Sequence, residues 1–114
     1  MDGSAAYIIA NLNVTDPIEY KRYADGFFPI LYRHAGEFIT YDDRSETLEG
    51  GTPLSGRVVM LKFPSDEHAR RWYADPAYQK ISQHRRAGTQ LAFLVLVHGM
   101  DGAPQADGPA TESP

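Results

Sequence analysis

LAFLVLVH, residues 91–98, decides the fold. Side chains alternate between the two faces of a strand, so a strand with one wet face alternates apolar with polar residues. In Leu91–Val97 both sets of alternate positions are apolar. Arg57–Phe63 (RVVMLKF) behaves the same way, with Lys62 the only break after Arg57. A sheet built from such strands needs cover on both sides. Helices supply one cover, and the economical second cover is another copy of the same sheet, packed face to face in a homodimer.

The rest of the chain can be read outward from these two strands. Tyr7–Val14 (YIIANLNV) is rich in sheet-forming residues, and Ile8, Ala10, Leu12 and Val14 share one side. In the TDPIEY that follows, Asp16 is a cap, Pro17 suits the first helical position and Glu19 completes a capping box. Tyr20, Tyr23, Phe27, Ile30, Leu31 and His34 recur at helical spacing and form one broad face. Pro29 lacks a donor and crowds the carbonyl of Asp25, so it is expected to bend this helix or loosen a turn, and Gly36 is read as its left-handed stop. Glu37–Asp42 reads as a strand and Glu46–Glu49 as a short extra one before the loop GGTPLSG. Ser65, followed by Asp66 and Glu67, caps a helix to about Ala74; Asp75-Pro76 starts another to about Ala87. This order predicts an α+β fold, a ferredoxin-like βαββαβ sandwich with a four-stranded antiparallel sheet. Residues 1–98 form the domain, and the small, polar, proline-rich residues 99–114 are expected to be a disordered tail.

A chain of 114 residues fits one domain. Its net charge is −4, and three acids (Asp101, Asp107, Glu112) fall in the tail, which leaves the domain close to neutral. Nucleic-acid binding relies on a clustered cationic surface and is not expected. The absence of cysteine removes disulfides and thiolate chemistry and fits a cytoplasmic protein. No apolar run is long enough to span a membrane, and no secretion signal opens the sequence. The glycosylation pattern Asn13-Val14-Thr15 is therefore read as chance. His34, His68, His84 and His98 are too widely spaced to preorganise a metal site. Gly50-Gly51 and Gly56 lack the lysine of a phosphate loop, and no Gly-x-Ser-x-Gly elbow occurs. No metal or organic cofactor is expected.

TDPIEYKRY, HAGEF, TLEGG, RVVMLKFPS, WYADPAYQ and HRR, in this order and spacing, resemble the DUF1330 family of small bacterial proteins. That family belongs to the dimeric α+β barrel superfamily. The resemblance covers roughly residues 6–98. Two positions depart from the pattern: Ala35 stands where a second glycine is common, and His84 where a non-ionisable residue is more usual. The resemblance implies the fold, the dimer and a cavity between helices and sheet in each subunit. Members of the superfamily include cofactor-free monooxygenases acting on aromatic polyketides, lactone isomerases, dehydratases and haem enzymes.

Chemistry-bearing residues concentrate in Arg70–Arg86 (RRWYADPAYQKISQHRR). Tyr78, Ile81 or Ser82, and Arg85 share one helical face; Ala69 and Tyr73 share another, with Trp72 beside it. The plainer reading makes Trp72, Tyr73, Tyr78 and Ile81 core and the arginines solvated. Against it, an inward tyrosine hydroxyl or guanidinium needs polar partners, and seven tyrosines are many for a small core. Glu49 or Asp42 is the expected partner of Arg85 or Arg57. Tyr20, Tyr23, Phe27, Tyr41, Trp72 and Tyr73 are candidate ligand-binding walls, together with Arg57. His34 or His84 is the candidate proton carrier, Arg85 or Arg57 the clamp on negative charge, and Tyr78 a hydrogen-bond donor. His34 and His84 also sit near helix ends, where a histidine commonly serves the helix alone. The expected function is a homodimeric enzyme performing cofactor-free proton transfer (isomerase, cyclase or dehydratase) or oxygenation on an aromatic or polyketide-like acid. The alternatives are a non-catalytic module that binds or senses a hydrophobic metabolite, and a structural subunit of a larger assembly.

Overall fold

A computed structural model describes residues 4–100. The chain runs β1 (Ala6–Val14), α1 (Pro17–Arg33), β2 (Glu37–Asp42), β3 (Arg57–Phe63), α2 (Asp66–Ala74), α3 (Pro76–Gly88) and β4 (Thr89–His98). The strands form one antiparallel sheet in the order β2-β3-β1-β4. The ferredoxin-like α+β architecture read from the sequence is thus the one observed. The expected disorder of the tail concerns residues that, apart from Gly99 and Met100, lie outside the described ones. Gly99 itself donates its N–H to the Ala5 carbonyl at 2.7 Å, continuing the strand edge.

All three helices pack on one face of the sheet. Ala6 and Ile8 of β1 with Leu61 and Phe63 of β3 meet Tyr23, Phe27, Ile30 and Leu31 of α1, Ala69 and Trp72 of α2, and Tyr78 of α3. The opposite face carries Tyr7, Ile9, Val58, Met60, Phe93, Val95 and Val97, and no helix covers it among the described residues. Val95 and Val97 there remain 41% and 42% exposed. The doubly apolar strands of the sequence therefore have one face buried and one bare in the single chain.

Several local readings are corrected. Asp16 does cap α1, its Oδ1 accepting from the N–H groups of Ile18 (3.1 Å) and Glu19 (3.3 Å). The reciprocal half of the capping box is not formed, because the Asp16 N–H already donates to the Gly88 carbonyl at 3.1 Å, as does that of Thr15 at 2.8 Å. Glu19 is thereby free to bind His84 and Arg22. The close approach that permits this is eased by glycine, since a Cβ at position 88 would lie 3.0 Å from the Tyr20 N of α1.

Pro29 does not interrupt α1, which runs unbroken to Arg33. Its end is a Schellman motif: Gly36 N–H donates to Leu31 O (2.9 Å) and Ala35 N–H to Tyr32 O (3.0 Å). The left-handed residue is Ala35, with φ of 61°, and not Gly36. Gly36 is required for a different reason: a Cβ there would stand 2.3 Å from Leu31 Cδ1 and 2.8 Å from Phe63 Cε2. Glu46–Glu49 is not a strand; residues 43–56 are irregular. Asn11 secures the end of this segment, donating from Nδ2 to the carbonyls of Ser55 (2.8 Å) and Arg57 (3.2 Å).

Candidate functional site

Between the sheet and the helices lies a cavity of about 270 Å³. Its floor is Ile8, Ala10 and Leu12 of β1, Val59 and Leu61 of β3, and Leu94 of β4. Its aromatic walls come from Tyr20, Tyr23, Phe27 and Phe28 of α1, Phe38 and Tyr41 of β2, Trp72 of α2 and Tyr78 of α3. Among the described residues Arg57 and Arg85 are the only charged ones that line it, and no Asp, Glu or His does. Tyr41 is 55% and Phe28 39% exposed, which puts the mouth at the β2 end, whereas Tyr78, Trp72 and Arg85 are buried at the far end.

The two arginines differ in circumstance. Arg57 donates to Asp43 from Nε (2.7 Å) and Nη2 (3.0 Å) and lies over the rings of Tyr41 (4.4 Å) and Tyr20 (5.3 Å). The bidentate carboxylate outweighs partial burial and holds the guanidinium pKa above its ordinary value, while Asp43 is held below the usual carboxylate range by the same bond. The expected partners Glu49 and Asp42 are not used; Asp42 instead accepts the Arg44 N–H at 2.7 Å.

Arg85 is 3% exposed and pairs with no carboxylate among the described residues. Its Nε is buried without an acceptor, and its nearest compensation is the Tyr23 ring, 5.8 Å from the guanidinium carbon. A cation–π contact contributes up to about 2 kcal/mol, whereas a buried charge without a counter-ion costs several. Packing alone does not account for an arginine at this position.

Trp72, Tyr23 and Tyr78, which line the same cavity, carry further donors. Trp72 is 1% exposed, and its Nε1–H has no acceptor. The Tyr23 and Tyr78 hydroxyls are 2.9 Å apart, one donating to the other. A pair of hydroxyls uses one proton in its mutual bond and leaves the second for another acceptor. Burial, reinforced by Tyr78, raises the Tyr23 pKa well above its ordinary value, so Tyr23 stays protonated at neutral pH. The deep end of the cavity is thus lined by Arg85, Trp72, Tyr23 and Tyr78, and by no carboxylate among the described residues.

Tyr20, Tyr23, Phe27, Tyr41, Arg57, Trp72, Tyr78 and Arg85 are therefore brought together, as the sequence suggested. Tyr73 is not among them: 41% exposed, it lines a separate outer hollow, because α2 turns Trp72 and not Tyr73 toward the core. Neither His34 nor His84 lines either hollow. His34 Nε2 lies 2.8 Å from Asp75 Oδ2, and His84 Nδ1 lies 2.8 Å from Glu19 Oε1. Each joins two helices, so the expected proton-carrier role has no supporting geometry. His68 bonds its own cap Ser65 at 2.7 Å, and His98 lies 3.4 Å from Asp66. Sequence reasoning identified Asp75 as a helix cap but missed its bonds to His34 and Arg33, and it missed the pairing of Asp43 with Arg57. Asp75 caps α3 through the Ala77 N–H (2.8 Å) while holding His34 and, at 3.2 Å, Arg33. No group of three or more metal-ligating side chains occurs among the described residues, and no helix there is long and apolar enough to cross a membrane.

The fold and the cavity define a ferredoxin-like α+β domain with a donor-lined hollow under its helices. The chain belongs to the family described as Domain of unknown function (DUF1330), which it matches over residues 5–100. No curated protein matches the sequence. Among solved structures it is similar to RPA0582, a protein of unknown function from Rhodopseudomonas palustris (15% identity, TM-score 0.66, covering 90% of this chain and 87% of that one). It is also similar to SnoaB, a cofactor-independent oxygenase from Streptomyces nogalater (16%, 0.57, 91% and 96%). A third is a dimeric ferredoxin-like protein of unknown function from Thermobifida fusca (15%, 0.53, 84% and 90%). At these identities the likeness is one of fold.

Proposed function

We propose that this protein is a cytoplasmic homodimer that takes up a flat aromatic or polyketide-like acid and acts on its enolate or phenolate without a metal or organic cofactor. The observation that carries the reading is Arg85: a buried, unpaired guanidinium beside the unsatisfied indole N–H of Trp72 and the Tyr23–Tyr78 hydroxyl pair. A ligand oxygen bearing negative charge would supply the counter-charge that Arg85 lacks. Such an anion is the form from which isomerisation, cyclisation, dehydration and reaction with dioxygen start, and fixed donors in a dry site stabilise it. In this reading the ligand binds already ionised, and Tyr78, backed by a Tyr23 that does not ionise near neutrality, donates a proton to one of its atoms and takes one back from another. The cavity volume falls just under the range of about 300–1,000 Å³ usual for small-molecule sites, which suits one or two rings. The likeness to SnoaB supports the oxygenase branch of this chemistry.

A second reading is favoured by the absence of any carboxylate or imidazole from the lining: the protein binds or senses the acid without turning it over. Native mass spectrometry of the purified protein, followed by calorimetric titration of the acid found and an assay for its conversion, separates the two. Turnover abolished in Tyr78→Phe with affinity retained supports the enzyme. Tight binding with no conversion supports the sensor, and failure of Arg85→Gln to weaken binding rejects both. The dimer rests on the bare apolar sheet face and on the dimeric neighbour of the same fold.

A further inference from the structure

The inner cavity shares part of its lining with a neighbouring hollow. Arg85, Ile8 and Leu94 also line a second, more open hollow of about 830 Å³ beneath α2, α3 and β4. Leu91 and Leu96 complete its apolar floor, and Arg70 and Arg86 join Arg85 along it, with no acidic residue in the lining. Arg70 is only loosely engaged, 3.8 Å from an Asp66 that is itself half exposed, and Arg86 donates to the neutral Gln79 at 3.1 Å. Both outer cations thus retain donors for another anion. Arg85, 3% exposed and with its Nε unpartnered, belongs to the linings of both hollows.

We propose that the two hollows form one bipartite site for an elongated keto acid. This rests on the reading of the inner cavity given above and extends it to the substrate class. The ring occupies the inner compartment, where all the aromatic walls but Tyr73 are. The carbonyl or enol oxygen lies at the junction on Arg85. From there an apolar chain crosses Leu94 and Leu91 to a second anion, a carboxylate or phosphate, held by Arg70 and Arg86. The order of the parts follows from the linings: rings inside, a greasy floor outside, cations beyond it. An acid consisting of a ring alone would leave the outer compartment and two of its three cations unused.

Calorimetry on the full chain with two probes tests this. Benzoate reaches only the inner compartment; ω-benzoylcaproate is a phenyl ketone whose alkyl chain ends in a carboxylate. The wild type is expected to bind the long probe at least about tenfold more tightly, a difference of about 1.4 kcal/mol. The double variant Arg70→Gln/Arg86→Gln, altered only at exposed positions, should lose that advantage and keep its affinity for benzoate. Arg85→Gln should weaken both probes. If benzoate binds and depends on Arg85 but the long probe gains nothing, or keeps its gain in the double variant, the outer compartment is refuted and the inner reading stands. If neither acid binds, or neither responds to Arg85→Gln, the inner reading falls and the bipartite site with it.

Discussion

The hydroxyl of Tyr23 lies 2.9 Å from that of Tyr78, joining the middle of α1 to the first turn of α3 in the buried end of the cavity. The bond spans 55 positions of sequence. It is as much a structural tie between helices as a feature of the site, and its two roles can be measured apart.

Removing either hydroxyl leaves the other without its partner. Tyr23→Phe and Tyr78→Phe are each expected to cost about 1 kcal/mol in denaturant unfolding, and the double variant less than their sum. The Tyr23 pKa is raised in the folded state, so the protein gains stability from the protonated phenol below the unfolded value of about 10 and loses it as pH rises toward the folded value. Stability should therefore fall with pH above about 10 in the wild type, and Tyr23→Phe should flatten this fall. An unchanged alkaline slope in that variant would refute the assignment.

Arg85 should oppose function to stability. Arg85→Met removes a buried charge that has no counter-ion and keeps most of the side-chain volume. The expected outcome is a gain on the order of 1–3 kcal/mol in unfolding free energy, together with loss of acid binding by calorimetry. A destabilised variant would mean that Arg85 is compensated in the fold.

Position 35 holds an alanine in a left-handed conformation, and the next residue has no room for a Cβ. Ala35→Gly should raise the melting temperature, corresponding to about 0.5–1 kcal/mol. Gly36→Ala should lower it by more, since Leu31 and Phe63 must both move. The reverse order of effects would contradict the helix-end geometry.

Asp75 is expected to make the fold sensitive to acid. Its hydrogen bond from His34, and secondarily that from the Ala77 N–H, lower its pKa in the folded state. The stabilisation is then complete above the unfolded carboxylate value of about 3.9 and lost as pH falls through the folded value. Asp75→Ala should cost about 1 kcal/mol at neutral pH through the lost cap and show a weaker acid transition. His34→Ala should leave acid binding unchanged in calorimetry, because the ring lies outside the cavity.

Val95 lies on the bare sheet face opposite Ile9. If two such faces join, Val95→Glu buries a charge at the junction, and sedimentation should then find a monomer where the wild type is a dimer. A monomeric wild type at micromolar concentration would remove the dimer from the proposal.

Much of this was legible in the sequence because strand and helix periods are direct consequences of which side chains face the core. The apolar alternation of Ile8, Ala10 and Leu12 and the helical spacing of Tyr20, Tyr23 and Phe27 locate both walls of the cavity. The histidines were misleading because their type suggests proton transfer, whereas their surroundings are set by carboxylates 41 and 65 positions away. Asp43 was likewise hidden: its pairing with Arg57 depends on the path of the irregular segment 43–56, which no periodicity describes. The left-handed residue was misplaced by one position because glycine is the usual occupant, and Gly36 is present for want of space instead.

Trp72 is the only tryptophan of the chain, and its ring lies 4.1 Å from that of Tyr78 on the cavity wall. The protein therefore carries its own optical gauge. Indole emission comes solely from the pocket, so a compound library can be surveyed by fluorescence without any label, and a quench or colour shift reports occupancy at that one place.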